Sequence, residues 1–397
     1  MTFICNHKCM KNEYLPKTAP APPPVADRDF RISSACGVTG IMNRSGGLFS
    51  GGDIFESICN MKERGNGLGS GFAAYGIYPD FGNQWCFHVM YDTEKSLAET
   101  EEYLKKKFEL IHCEPIPTKN VKNIGYRPLL RRYFMNINKR AQREFYRNIC
   151  DEDYIIRCVM EINSTVRNAC VFSSGKNMGI FKGVGEPDDI GEFYRIKEYK
   201  AYIWTAHNRF PTNTAGWWGG AHPFGLLDWS VAHNGEISSY GINRRYLENF
   251  GYKCSFYTDT EVIAYLFDLL VRKHGIPLER VGNILAAPFW SSIERIEDRK
   301  EKELLKKLRI VYASALINGP FAIIVANANC MFGLNDRVKL RPLVCAEKKD
   351  FLYIASEEAA IRQVCKKPDR VWMPPGGEPT IGRVKNKKSN RNRPHYG

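Results

Sequence analysis

No stretch of the sequence is both long enough and apolar enough to cross a bilayer, which takes roughly 18 to 20 residues. The N-terminus, MTFICNHKCMKNEYLP, lacks the apolar segment of a secretory signal. The 13 cysteines lack any repeating spacing, which argues against a disulfide framework. We therefore expect a cytoplasmic protein with reduced thiols and no membrane association.

Two kinds of cofactor site lack part of their signature. Cys5, His7 and Cys9 carry metal-binding side chains, but a fourth ligand at a matching spacing is missing. The glycines at 65, 67, 69 and 71 do not stand between a strand and a helix, as a dinucleotide-binding loop requires. We expect neither a metal nor a cofactor on this chain.

Basic residues are in excess, and the net charge is +14. The lysines and arginines are dispersed, with dense clusters only near residues 105–107, 127–147, 299–307 and 385–393. A nucleic-acid site usually gathers such charge on one face or along one helix. A solvated surface or an acidic partner subunit explains the excess better, and we expect no nucleic-acid binding.

Composition divides the chain into three parts. Residues 1–35 contain the proline-rich segment LPKTAPAPPPV, which cannot build a core, so they are predicted to be a prosegment or extension. Residues 36–377 are predicted to form one domain, in which residues 82–200 are an elaboration between core strands. The basic, polar residues 378–397 are predicted to be a flexible tail.

An Asn-Gly pair provides the first candidate for chemistry. Asn234 and Gly235 follow the apolar run at residues 229–232, which predicts a strand ending at this pair. A side-chain amide and a backbone N–H at that point can donate together to one developing oxyanion. Asn-Gly is also the commonest signature of a tight hairpin turn, and this alternative stays open.

The matching nucleophile is Cys36, which is followed by Gly37 and a short strand-like run. If the chain is cut between Ala35 and Cys36, the freed α-amino group, with a reference pKa of about 7.7 to 8.0, can accept the thiol proton. Because Cys36 does not follow a methionine, this requires autoprocessing or a protease. The alternative is a buried structural thiol.

Two charged residues can hold a zwitterionic substrate. Arg209 offers a forked guanidinium that binds a carboxylate through two hydrogen bonds. Asp259, at the predicted start of a helix, offers a carboxylate to an ammonium group. Beside a thiol nucleophile, this pair fits an α-amino acid with a side-chain amide, which is glutamine or the shorter asparagine. Taken singly, Arg209 is as well explained by a salt bridge and Asp259 by a helix cap.

A set of short motifs resembles the class II glutamine amidotransferases, the N-terminal-nucleophile hydrolases that include the amidotransferase domain of glutamate synthase. The motifs occur in the family's order over residues 36 to about 377. They are CGVTGIMN at 36–43, ERGNGLGSG at 63–71, HNRFPTNT at 207–214, VAHNGEI at 231–237, YTDTEV at 257–262, and LRPLV with IASEE within 340–358. RFPTNT and HNGE favour the glutamate synthase branch, and ERGNGLGSGFAAYGIYP resembles the stand-alone subunits of its archaeal type.

The resemblance implies a fold and a site. The fold is α+β, a four-layer α-β-β-α sandwich. The resemblance implies that Cys36 is the nucleophile and that Asn234 and Gly235 form the oxyanion hole. It implies that Arg209, helped by Thr212, binds the substrate carboxylate and that Asp259 binds the ammonium group. Arg64 and Gly65 match the pair that closes the family's first helix near the pocket.

The resemblance also implies a reaction and a partner. L-glutamine is hydrolysed through a γ-glutamyl thioester on Cys36, and the ammonia passes to a glutamate synthase-type subunit that carries the FMN and the iron-sulfur cluster. Two alternatives stay open: hydrolysis of another amide by the same kind of nucleophile, and an unprocessed, inactive subunit that acts as a scaffold or regulator.

Overall fold

The structure, a computed structural model, describes residues 36–210 and 216–385 of the 397. The predicted prosegment, the possible metal ligands Cys5, His7 and Cys9, and most of the predicted tail lie outside these ranges. The described strands are β1 (Gly37–Asn43), β2 (Phe49–Ser50), β3 (Ser70–Tyr75), β4 (Trp85–Tyr91), β5 (Phe108–Pro115), β6 (Leu129–Ile137), β7 (Ala169–Ser173), β8 (Met178–Gly183), β9 (Lys200–Ala201), β10 (Ile203–Asn208), β11 (Phe224–Leu226), β12 (Trp229–Gly235), β13 (Phe321–Asn327), β14 (Cys330–Asn335), β15 (Val344–Lys348), β16 (Phe351–Ala355), β17 (Arg370–Trp372) and β18 (Thr380–Arg383).

The helices connect and cover these strands. The described α-helices are α1 (Gly51–Cys59), α2 (Glu94–Lys107), α3 (Lys139–Phe145), α4 (Asp151–Thr165), α5 (Pro187–Phe193), α6 (Tyr240–Glu248), α7 (Asp259–Phe267), α8 (Leu278–Leu285), α9 (Trp290–Glu294), α10 (Arg299–Val311) and α11 (Glu358–Val364). A π-helical segment, Asp268–Lys273, continues α7. None of the helices in the described ranges has the length and apolar character that a membrane span needs.

A seven-stranded sheet carries β1 at its centre. Its order is β17-β15-β16-β1-β10-β3-β8, and every neighbouring pair is antiparallel. Gly37 lies opposite Asn208 of β10, and Thr39 lies opposite Ala355 of β16. Successive residues of a strand face opposite sides, and the Thr39 hydroxyl meets that of Ser57 in α1 at 2.8 Å. Because β1 lies in the middle of this order and begins at Gly37, Cys36 lies at the start of a central strand.

A second, five-stranded sheet packs face to face on the first. Its order is β11-β12-β13-β14-β18, again antiparallel throughout. A Cβ on Gly40 of β1 would lie 2.7 Å from the Met331 sulfur of β14, so glycine at position 40 permits the close approach of the two sheets. Ala206 of the first sheet and Ile324 of the second belong to the same buried cluster.

Helices cover the outer faces of both sheets. Helix α1 packs on β1 and β10, and α11 packs on β16. On the other side α7 packs on β11 and β12, where the rings of Phe267 and Trp229 are 5.5 Å apart. Each sheet is apolar on both faces because both faces are covered. This four-layer α-β-β-α sandwich confirms the predicted α+β fold.

A third, four-stranded sheet lies in the stretch between residues 82 and 200. Its order is β5-β6-β4-β7, with α2 connecting β4 to β5 and α4 connecting β6 to β7, a split βαβ arrangement. The Thr93 side chain caps α2 by accepting from the backbone N–H of Ser96 at 3.2 Å. An ion pair of 2.7 Å between Arg272 and Asp153 joins α4 to the π-helical segment. Strand β8, from the end of this stretch, belongs to the seven-stranded sheet.

Candidate active site

The thiol of Cys36 lies beside the backbone of Phe210, at the end of the neighbouring strand. The Phe210 N–H donates to the Cys36 sulfur at 3.2 Å. Burial raises the pKa of the Cys36 thiol, although this hydrogen bond and the charges of Arg209 and Arg341 act to lower it. Since burial prevails, the thiol needs an adjacent base to react near neutral pH.

Arg64 holds the backbone of the same cysteine. Its Nε donates to the Cys36 carbonyl oxygen at 3.1 Å, and its Nη1 is paired with the Glu357 carboxylate. Arg64 ends a short 3-10 turn after α1, and Glu357 immediately precedes α11. The guanidinium therefore joins both helical ends to the start of β1. These contacts hold the backbone of Cys36, the predicted nucleophile, in place.

Gly65 is required by a close approach. A Cβ at this position would lie 2.0 Å from the Oδ1 atom of Asn208. The Asn208 side chain cannot move away freely, because its Nδ2 donates to the carbonyl oxygens of Met61 and Lys62 at 3.0 and 2.9 Å. The Arg64-Gly65 pair thus fixes the turn against the end of β10.

Asn234 and Gly235 end β12 without forming a hairpin. Gly235 is paired with Phe321 of β13, which is distant in sequence, so the tight-turn alternative is wrong. The buried Asn234 Nδ2 lies 3.5 Å from the Ser356 hydroxyl, which accepts from the Val38 N–H at 3.1 Å. Asn234 is therefore linked through one hydroxyl to the strand that begins at Cys36.

The backbone of Gly235 excludes any other residue. Its φ is 150°, and a Cβ would lie 2.0 Å from the Pro320 carbonyl oxygen. The next residue, Glu236, donates its N–H to that same oxygen at 3.0 Å. Glycine is needed here to let the chain leave β12 close to β13.

Asp259 begins α7 and receives several donors. Its Oδ2 accepts from the Ile237 N–H at 3.1 Å, and its Oδ1 accepts from the Thr260 hydroxyl at 3.2 Å. His233 Nδ1 lies 3.5 Å from the same Oδ1. Burial acts to raise the pKa of Asp259, but His233 and these hydrogen bonds outweigh it and lower the pKa. The carboxylate is ionised at neutral pH.

Arg209 follows β10 and is 6% exposed. Its N–H donates to the Gly69 carbonyl at 2.8 Å, which fixes the backbone where the ladder with β3 ends. Burial lowers the pKa of Arg209, while Cys36, Asp259 and Glu236 act to raise it. The guanidinium stays cationic, as it does in proteins generally. Thr212, its predicted helper, lies outside the described residues.

These observations bring the predicted nucleophile and both charged anchors to one site. The charges of Arg209 and Asp259 both act on the Cys36 thiol, and Asn234 reaches its strand through Ser356. Sequence reasoning gave Ser356, Glu357 and Arg341 no role in the site, although the strings LRPLV and IASEE contain them. The signal that could have indicated a role in the site was their position in these two motifs, which lie far along the chain from Cys36. In the described ranges, no group of three or more His, Cys, Asp or Glu side chains is placed so that it could hold a metal ion.

Comparison with known proteins gives one family match. The model described as "Glutamine amidotransferases class-II" matches residues 91–372. This range includes Arg209, Asn234, Gly235 and Asp259 and begins after Cys36.

Individual relatives differ in how much of this chain they match. An uncharacterized protein of Archaeoglobus fulgidus is 52% identical over 365 residues, which is 91% of this chain and 95% of the relative. A protein of Methanothermobacter thermautotrophicus named "Putative glutamine amidotransferase" is 24% identical and covers 86% of this chain and 97% of its own length. The large chain of a Bacillus subtilis NADPH glutamate synthase is 26% identical over 208 residues, 47% of this chain and 13% of that one.

Proposed function

The chain belongs to the class-II glutamine amidotransferases, and from this premise we propose that it hydrolyses L-glutamine through a γ-glutamyl thioester on Cys36. The observation that carries the proposal is the composition of the site: the Cys36 thiol lies within the field of a buried cation, Arg209, and a partly buried anion, Asp259, whose side chain is 19% exposed. A free α-amino acid brings a carboxylate and an ammonium group that match these two charges. The side-chain amide of glutamine then supplies the carbon that the thiol attacks.

Each charged group of the substrate has its own anchor. The guanidinium of Arg209, helped by Thr212, binds the α-carboxylate, and a planar fork favours two parallel hydrogen bonds. The Asp259 carboxylate binds the α-ammonium group and is ionised because its donors lower its pKa. The Asp259 carboxylate and the main chain of Arg209 are fixed by backbone contacts before substrate arrives, which reduces the ordering needed on binding.

The thiol is activated by the terminus that processing creates. Removal of residues 1–35 leaves Cys36 with a free α-amino group, whose reference pKa of about 7.7 to 8.0 suits a base at neutral pH. This amine takes the thiol proton while sulfur attacks the amide carbon. It returns the proton to the leaving nitrogen, which departs as ammonia, and water then hydrolyses the thioester to glutamate.

Asn234 and Gly235 stabilise the tetrahedral oxyanion, an effect of roughly 3 to 4 kcal/mol per donor in comparable sites. The Oδ1 atom of Asn234 is buried and has no hydrogen-bond partner in the described part of the chain. The oxygen and nitrogen of an amide are nearly indistinguishable in shape. A 180° turn of this amide lets the Ser356 hydroxyl donate to Oδ1 and frees Nδ2 to donate to the oxyanion.

The ammonia passes to a separate glutamate synthase-type subunit that carries FMN and an iron-sulfur cluster. The support is the resemblance of RFPTNT and HNGE to the glutamate synthase branch and the partial match to a glutamate synthase large chain. The acceptor is 2-oxoglutarate or a related keto acid. The net charge of +14 suits an acidic partner surface.

The test combines the N-terminus of the native protein with a glutaminase assay. Intact mass of active protein is expected to correspond to a start at Cys36, and Cys36→Ala is expected to abolish release of glutamate and ammonia while leaving the fold intact. Cys113→Ala, a substitution of another half-buried cysteine on β5, serves as the matched control. Native protein that starts at Met1 and shows no glutaminase activity would favour the scaffold alternative.

A further inference from the structure

Three buried histidines lie in a row behind the site. They are His207 of β10, His222 in the segment before β11, and His233 of β12, with exposed fractions of 0, 6 and 1%. The ring centroids of His207 and His222 are 4.1 Å apart, and those of His222 and His233 are 6.5 Å apart with the rings 10° from parallel. Three separate parts of the chain therefore supply one packed row.

The hydroxyl of Thr260 connects this row to Asp259. It lies 3.2 Å from the Asp259 Oδ1, 3.2 Å from the His233 Nδ1 and 3.3 Å from the His222 Nε2. Thr260 is fully buried and is the second residue of α7. It therefore occupies the point where the helix, the histidine row and the predicted ammonium anchor meet.

Counting hydrogens assigns the direction of each bond. A hydroxyl has one hydrogen, and an ionised carboxylate only accepts, so Thr260 donates to Asp259. The two imidazoles then donate to the Thr260 oxygen, His233 from Nδ1 and His222 from Nε2. His207 donates from Nε2 to the His233 carbonyl at 2.9 Å, which holds His233 in place.

Two members of the row, His207 and His222, are uncharged at neutral pH. Burial lowers the pKa of His207 to about 3 and that of His222 well below its usual range. The neutral His222 imidazole can therefore orient the Thr260 hydroxyl without adding a charge beside the Asp259 carboxylate. The Ile237 N–H fixes the other carboxylate oxygen, Oδ2, at 3.1 Å.

We propose that Thr260, held by His222 and His233, is a positioning residue that orients the Asp259 carboxylate toward the α-ammonium group of the substrate. The proposal rests on the proposed function, in which Asp259 binds that group. Thr260 acts only through Asp259, so its loss weakens binding of the ammonium group and leaves the thiol chemistry unchanged. None of the motifs that pointed to the site assigns this role to Thr260 or His222.

The first test separates binding from chemistry in processed enzyme whose start at Cys36 has been verified by mass. Thr260→Val keeps the shape and removes the hydroxyl. Because a hydrogen bond to a charged group is lost, the KM for glutamine is expected to rise about 10- to 100-fold with kcat within about 3-fold of wild type. Thr260→Ser, which keeps a hydroxyl, is expected to recover most of the KM.

The second test asks whether the weaker binding of glutamine by Thr260→Val arises at the α-ammonium group. The probe is 4-carbamoylbutanoate, which is glutamine without its α-amino group, used as a competitive inhibitor of wild type and Thr260→Val. Its inhibition constant is expected to change by less than about 3-fold, because it makes no contact with Asp259. A rise in this constant that matches the rise in the glutamine KM would overturn the proposal, as would a fall in kcat with an unchanged KM.

Two further variants control for folding. Thr100→Val removes a buried hydroxyl in α2, where Thr100 donates to the Ser96 carbonyl at 2.8 Å, and is expected to leave KM unchanged. If Thr260→Val does not fold, His222→Leu removes one donor to the Thr260 oxygen and is expected to raise KM about 3- to 10-fold with kcat retained. An unchanged KM in that variant overturns the proposal. Absence of glutaminase activity in processed wild type would instead refute the proposed function.

Discussion

Replacing Arg209 tests the substrate assignment most directly. We expect Arg209→Ala to raise the KM for glutamine at least about 100-fold. Arg209 is 6% exposed, so the two hydrogen bonds of its guanidinium to a carboxylate form away from competing water. Hydrogen bonds to charged groups contribute about 1.5 to 3 kcal/mol each. Two of them give about 3 kcal/mol at the lower bound, and 1.4 kcal/mol corresponds to a tenfold change.

The same substitution has a smaller effect on the chemical step. The positive charge of Arg209 acts to lower the pKa of the Cys36 thiol. Its removal therefore makes the thiol harder to ionise, and kcat is expected to fall by less than KM rises. Arg209→Lys keeps a charge but loses the fork, and an intermediate KM, about 10-fold above wild type, is expected.

The assay is initial-rate glutamate release over a range of glutamine concentrations, with intact mass and thermal unfolding measured on each preparation. Arg132→Ala is the matched control, because Arg132 is a mostly enclosed arginine in the third sheet, with a side chain 13% exposed and paired with Glu114 at 2.5 Å. It is expected to lower stability without changing KM. A KM within about 5-fold of wild type in Arg209→Ala would refute the carboxylate assignment and favour a hydrolase of another amide.

Three other predictions concern the oxyanion, the turn after α1 and the pH dependence of stability. Asn234→Ala should lower kcat about 100- to 1000-fold with little change in KM, and a loss under tenfold in steady-state kinetics would contradict its role. Gly65→Ala should destabilise the protein by about 1 to 3 kcal/mol in urea unfolding, because its Cβ meets Asn208; Gly125→Ala, with open space around it, should not. Burial raises the pKa of Glu261 to about 7. Between the ordinary pKa of a glutamate and about pH 7, the folded state therefore holds a proton that the unfolded state has released. The unfolding free energy should therefore fall by roughly 3 kcal/mol as pH rises through this window, and Glu261→Gln should remove that slope; equal slopes in both proteins would refute it.

Local signals in the sequence were sufficient where the structure depends on neighbours along the chain. Helix α2 begins after Thr93, whose side chain accepts from the Ser96 N–H, as such a cap requires. The helix predicted to begin at Asp259 does so and runs to Phe267. Its continuation as a π-helical segment, Asp268–Lys273, carries no signal in the apolar pattern.

The sequence was ambiguous where partners are far apart along the chain. Asn-Gly at 234–235 has the composition of a hairpin turn, yet β12 pairs with β13 some 86 positions later. The stretch at 82–200 combines a four-stranded sheet with β8 of the central sheet, and no composition change separates them. Strand pairing is decided by burial on both faces of a sheet, which a single segment does not reveal.

The sequence by itself determined the chemistry that is available: a cysteine after a proline-rich segment, a forked cation, a carboxylate at a helix start and an Asn-Gly pair. Only the tertiary structure decided how these groups are held. Arg64 reaches both Cys36 and Glu357, the Ser356 hydroxyl lies between Val38 and Asn234, and Thr260 joins Asp259 to a histidine row. The reason is that hydrogen bonds act over about 3 Å, and only packing of two sheets brings residues so distant in sequence within that range.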